Sequence, residues 1–214
     1  MIKCVLFDLD GTILNTIVDL TNAVNYALQK HNYNTRNVDE VLSFIGDGVF
    51  KLLERALPSS TPKNIIEDCL KDFRAYYDIH MKDNTIPYDG TMELMKKLKN
   101  DGYKLGVVSN KYYPATNKLC QIFNEFMDIY IGEGPGIPKK PDPTGVKVAM
   151  KFLKVNPEET IFVGDSKNDY EVSINAKTSV ILVSWGYTKL DNLMKYNVPI
   201  AKSNEELYEL IKNS

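Results

Sequence analysis

Two carboxylates one residue apart, Asp8 and Asp10, stand in the stretch Phe7-Asp8-Leu9-Asp10-Gly11-Thr12, after an apolar run containing Ile2, Val5, Leu6 and Phe7. That run reads as a short buried strand, and Gly11 supplies the turn that ends it. Side chains alternate faces on extended backbone, so Asp8 and Asp10 point the same way while Leu9 points into the core. Two acids on one face repel each other and raise one pKa, unless a cation or a shared proton makes use of the pair. An Asp-Gly turn with an incidental acid is the plainer alternative. Three later stretches extend the pattern. Ser109-Asn110-Lys111 offers a hydroxyl, an amide and backbone N–H groups suited to an anion such as phosphate, or else forms a helix-capping turn. The proline-rich segment 134–143 carries Lys139 and Lys140, one of which is expected to point inward and neutralise phosphate charge; a solvated basic loop is the alternative. Gly164-Asp165-Ser166-Lys167-Asn168-Asp169 brings two more acids, four apart, to the start of a helix, where Asp165 could also serve only as a cap.

Each of these stretches follows an element that must hold it in place. Strand-like apolar runs recur at 3–7, 105–108, 129–131, 161–163 and 180–183, and helical patterns at 91–101, 114–123, 144–153 and 168–176. A closing helix is expected over 204–212, capped by Ser203 or Asn204. Strands rich in Val and Ile alternating with helices predict an α/β fold, a Rossmann-like parallel sheet covered on both faces. Chemistry in such a sheet collects outside the carboxyl ends of the strands, where all four stretches lie. Between residues 12 and 85 the pattern changes to helices alone, at 17–30, 38–44, 49–56 and 65–81. That is too long for a simple crossover. The expected organisation is a core of residues 1–14 and 85–214 with an inserted helical cap domain, 15–84, over the carboxyl ends of the strands.

Composition narrows the chemistry. A net charge of −2 argues against nucleic acid or an anionic membrane surface as a partner. No run approaches the length of a transmembrane helix, and the first residues lead straight into a strand, so a cytoplasmic protein is expected. Cys4, Cys69 and Cys120 form no Cys-x-x-Cys pair, and with only His31 and His80 no zinc-ligand spacing arises. Cys4 reads as a small core residue. Any metal should be a hard cation held by oxygen.

Together, Asp8-Leu9-Asp10-Gly11-Thr12, Ser109-Asn110, Lys140-Pro141-Asp142-Pro143 and Gly164-Asp165 through Asp169 resemble the four signature motifs of the haloacid dehalogenase-like superfamily, and the inserted helices resemble its cap. The resemblance implies Asp8 as a nucleophile forming an aspartyl-phosphate and Asp10 as general acid and base. It further implies Mg²⁺ held by Asp8, Asp10 through its backbone carbonyl, and Asp165, with Asp169 in support. Gly11, Thr12, Ser109, Asn110 and Lys140 would hold the phosphoryl group.

Two more stretches resemble phosphoglycolate phosphatases: Phe44-Ile45-Gly46-Asp47-Gly48 followed by Leu53-Glu54-Arg55-Ala56-Leu57, and Trp185-Gly186-Tyr187. Gly46 and Gly48 would let the cap approach a small substrate, while Arg55 either reaches a substrate carboxylate or lies on a helix surface. Lys177 stands where the family commonly has Gly. The implied activity is Mg²⁺-dependent hydrolysis of a small phosphomonoester, 2-phosphoglycolate first, by a monomer or weak homodimer. A pyrophosphatase, a phosphoglucomutase and a non-catalytic binding module are the alternatives.

Overall fold

The central strand β1, Cys4–Phe7, is fully buried because its four side chains, CVLF, carry no charge to either face. The computed structural model describes all 214 residues. The remaining strands are β2 (Leu14–Asn15), β3 (Ile86–Pro87), β4 (Lys104–Tyr112), β5 (Ile129–Glu133), β6 (Thr160–Gly164), β7 (Ser179–Val183) and β8 (Ile200–Ala201). Six of them form one sheet in the order β5-β4-β1-β6-β7-β8, and every pairing is parallel. The helices are α1 (Ile17–Lys30), α2 (Val38–Phe44), α3 (Val49–Ala56), α4 (Lys63–His80), α5 (Thr91–Asn100), α6 (Tyr113–Cys120), α7 (Thr144–Leu153), α8 (Lys167–Ala176), α9 (Leu190–Leu193) and α10 (Asn204–Lys212). None is long and apolar enough to cross a membrane.

The chain divides into two compact units, Met1–Leu14 with Pro87–Ser214, and Asn15–Ile86. In the first, α7 and α8 cover one sheet face: Val146, Ala149, Met150, Leu153, Val172 and Ala176 pack on Cys4, Leu6, Val108, Ile131 and Phe162. Val5, Phe7, Val107, Ile161 and Val163 are buried on the alternate face. On that side α6 packs on β4 and β5 and α5 on β4, with α10 against α5. The second unit consists of α1 to α4, α1 packing on α4 and α2 between α1 and α3.

The sequence pattern missed β8, α9 and the short β2–β3 pair, all too brief for a periodic signal. It also ended the second core strand at residue 108; β4 continues to Tyr112, with a register irregularity against β5 between Val108 and Tyr112. Ser203 caps α10, its side chain accepting from Glu206 N. Lys177 ends α8 at φ +63, a left-handed conformation that a glycine would adopt without strain.

Asp19, in the first turn of α1 and 2% exposed, is the polar anchor of the helical unit. Its carboxylate accepts from Asn84 N and Nδ2 and from Thr85 N and Oγ1, at 2.8–3.1 Å. Four converging donors hold the returning chain on the helix that left it. Asp19→Ala removes a buried acceptor that serves four part-buried donors and should lower stability by about 1–3 kcal/mol, measured by urea unfolding. A loss below about 0.5 kcal/mol, the level of an ordinary surface change, would contradict this reading of Asp19.

Candidate active site

Strand register assembles the site. Phe7 pairs with Val107 on one side and Val163 on the other, so the chains emerge from the sheet level with one another. Asp8 N still donates to Val163 O at 2.8 Å, which fixes the first acid beside the end of β6. Asp165 and Asp169 follow on that strand's exit. Asp8, Asp165 and Asp169 are buried, Asp10 is partly buried, and Leu9 faces the core. One carboxylate oxygen from each of Asp8, Asp165 and Asp169 lies within 4.8 Å of the others.

Two buried lysines divide the acids between them. Lys140 Nζ lies 2.6 Å from Asp8 Oδ1 and 2.6 Å from Asp169 Oδ1. Lys111 Nζ lies 3.2 Å from Asp10 Oδ2. The remaining acid, Asp165, accepts from Tyr187 N at 2.6 Å and from Thr12 Oγ1 at 3.4 Å. Asp169, wholly buried, also accepts from Ser166 N (3.0 Å), Ser166 Oγ (2.6 Å) and Asp165 N (3.1 Å). The cap of α8 is therefore a reciprocal pairing of Ser166 and Asp169, and Asp165 is released from that duty.

Burial dominates the electrostatics. It pushes Asp8 up to about 7, with Lys140 opposing and Asp169 and Asp10 reinforcing the rise. It holds Asp165 well above the ordinary carboxylate range, with Asp169 and Asp8 adding to the effect. For Lys140 burial acts downward, yet Asp169 and Asp8 together outweigh it and the ammonium is held above its ordinary value. Four acids against two lysines leave a formal surplus of two negative charges in a desolvated space.

The residue types and this geometry coincide with one family. Residues 5–183 match the description "Haloacid dehalogenase-like hydrolase". The chain belongs to the haloacid dehalogenase-like hydrolases. A phosphoglycolate phosphatase of Aquifex aeolicus is 33% identical over 192 residues, covering 89% of this chain and 88% of the relative. The pyrophosphatase PpaX of Listeria innocua is 30% identical over 200 residues, covering 91% and 89%. A crystal structure from Lactobacillus delbrueckii, provisionally assigned as a phosphoglycolate phosphatase, superposes with a TM-score of 0.93 at 32% identity, covering 98% of each chain.

A hard divalent cation fits the donor set of this hydrolase. Three buried carboxylates offer oxygen ligands, and the upward shifts of Asp8 and Asp165 mark a site that favours added positive charge. Glycine makes room for the acids. A Cβ on Gly11, which sits at φ +83, would come within 2.5 Å of Asp165 Oδ2. One on Gly186 would meet Asp165 Cβ at 2.3 Å.

The other expected site residues fall into place around this centre or apart from it. Ser109 is buried beside Lys111, whose N–H donates to Ser109 Oγ at 3.2 Å. Asn110 spends both ends of its amide on the main chain of Lys140, accepting from its N at 2.6 Å and donating to its O at 3.2 Å. Trp185 Nε1 donates to Thr12 O at 3.0 Å and steadies the first loop. In the helical unit, Gly46 (φ +122) and Gly48 (φ +81) shape the turn before α3. Arg55 donates to Phe44 O at 2.9 Å and pairs with Asp47, so its guanidinium braces that turn. In the sequence Lys111 reads only as part of a polar tripeptide. Its Asp-Lys partnership joins positions far apart in sequence, a link that no local pattern carries.

A buried acid with a raised pKa has a defined effect on stability. The Asp8 contribution is fully present below its ordinary 3.8 and is lost as pH rises through about 7. In chelator, Asp8→Asn should therefore unfold at higher temperature than the parent at pH 8, with the difference shrinking toward pH 4. Equal melting curves at both pH values would contradict the assignment of charge strain to Asp8.

Proposed function

We propose that the chain is a Mg²⁺-dependent phosphatase of small phosphomonoesters, with 2-phosphoglycolate the leading substrate, working through an aspartyl-phosphate. The observation that carries this reading is the Lys140 ammonium between Asp8 and Asp169, beside an Asp10 held by a lysine of its own. Phosphoryl transfer demands positioning and charge stabilisation more than covalent ingenuity, and this cluster supplies both.

Asp8 attacks phosphorus in line, and the bond from phosphorus to the ester oxygen breaks. Asp10, protonated, passes its proton to the departing oxygen, which leaves as an alcohol. The Asp10 carboxylate then takes a proton from water. The resulting hydroxide oxygen attacks phosphorus, phosphate departs and Asp8 is regenerated. Asp8, Asp165, Asp169 and the backbone carbonyl of Asp10 would hold Mg²⁺, which when bound offsets the charge on the phosphoryl oxygens. Lys140, Ser109 and the backbone N–H groups of Gly11 and Thr12 would hold those oxygens, with Asn110 keeping the Lys140 backbone in place. The role of the cap is assigned to the helical unit, with Gly46, Gly48 and Arg55 as its candidates for substrate selection. The free, buried Cys4, Cys69 and Cys120 accord with a reducing cytoplasm.

A pyrophosphatase is the second reading. Relatives of that name match at 30% identity, and the pairing of Arg55 with Asp47 weakens the case for Arg55 as a receptor for the substrate carboxylate. Phosphate release from 2-phosphoglycolate, pyrophosphate and sugar phosphates, with and without Mg²⁺, decides between them. The expected result is fastest turnover of 2-phosphoglycolate, loss of activity in chelator, recovery with Mg²⁺ and no detectable activity in Asp8→Asn. Faster cleavage of pyrophosphate selects the second reading; an active Asp8→Asn enzyme rejects the mechanism.

A further inference from the structure

We infer that Lys111 is a positioning residue for proton transfer, holding the Asp10 carboxylate where the leaving oxygen departs. The inference rests on the phosphatase reading above and adds a member to its machinery.

Lys111 Nζ sits 3.2 Å from Asp10 Oδ2, and its side chain is only 3% exposed. A lysine is buried this deeply at a cost that an acidic partner must offset. The backbone around it is fixed on both sides. Lys111 N donates to Ser109 Oγ, and Thr116 Oγ1 donates to Lys111 O at 3.1 Å. The strand register is irregular between Val108 and Tyr112, and such irregularities re-aim side chains next to active sites. Gly132 on β5 permits the close approach, since a Cβ there would lie 2.7 Å from Lys111 O.

The division of labour between the lysines gives the role its content. Lys140 is committed to Asp8 and Asp169. Lys111 sets a positive charge beside the Asp10 carboxylate, which otherwise shares the negative field of Asp8.

Leaving-group chemistry separates this role from a purely structural one. An alkyl ester such as 2-phosphoglycolate must receive a proton as its oxygen departs, whereas 4-nitrophenyl phosphate releases a stable phenolate. Lys111→Met should cost about 100-fold in the single-turnover rate of ester cleavage on 2-phosphoglycolate but less than about fivefold in the single-turnover release of 4-nitrophenolate, both read before the dephosphorylation step that the two esters share, within the usual range for general acid catalysis. Asp10→Asn should show the same selectivity, and Lys111→Met should cost little more in that background. Lys111→Arg, which keeps the charge, should recover activity to within about tenfold of the parent. Equal losses on both esters, or a rise in KM with kcat unchanged, would overturn the inference, as would full additivity with Asp10→Asn. A parent enzyme inactive on both esters, or an active Asp8→Asn variant, would instead bring down the phosphatase reading beneath it.

Discussion

Mutual repulsion among Asp8, Asp10, Asp165 and Asp169 is the constraint around which the core unit is built. Parallel register brings Asp8 and the exit of β6 to the same level, so the acids have no route apart. Each is given a holder: Lys140 for Asp8 and Asp169, Lys111 for Asp10, and the Tyr187 N–H with the Thr12 hydroxyl for Asp165. These holders come from four separate parts of the sequence. The sheet is what makes their meeting inexpensive, because its strands are buried on both faces and set the exit points before any side chain is chosen.

The remaining charge surplus explains several features at once. Burial raises Asp8 and Asp165 although lysine lies close, and the neighbouring acids add to that rise. Space is reserved for the acids rather than for packing, as Gly11 and Gly186 crowd Asp165 and Gly164 lies against Asp169. Stability has been yielded here for a site that accepts positive charge, a trade common where catalysis needs a strained electrostatic arrangement. The helical unit solves a different problem. Asp19 gathers four donors to close its ends, while Arg55 and Asp47 lock the turn containing Gly46 and Gly48.

Much of the fold was legible because its signals are local. Alternation through Leu6, Phe7, Asp8, Leu9 and Asp10 gives both the strand and the shared direction of the acids, and the helices α1, α2 and α3 follow from their apolar spacing. Lys140 is separated from Lys139 only by the resemblance of Lys140-Pro141-Asp142-Pro143 to a family motif, since both lysines lie among prolines. What escaped is non-local or short. Lys111 reads as one member of a turn until β4 is seen to run on to Tyr112, and its partner Asp10 lies in the loop after β1. Asp165 resembles a helix cap until Ser166 and Asp169 are seen to cap each other. Arg55 reads as free or substrate-bound, because nothing in a helical pattern reports that Asp47, eight residues earlier, will reach it. The strands β2, β3 and β8 hold two residues each, too few to show a period.

The central claim is that Asp8 becomes covalently phosphorylated. The most direct measurement is rapid acid quenching during turnover of 2-phosphoglycolate with Mg²⁺, followed by borohydride reduction and mass spectrometry of the peptide containing residue 8. The expected result is homoserine at position 8, formed from the acyl phosphate and absent without substrate. Turnover with unmodified Asp8, or with the reduced residue at another acid, would contradict the account.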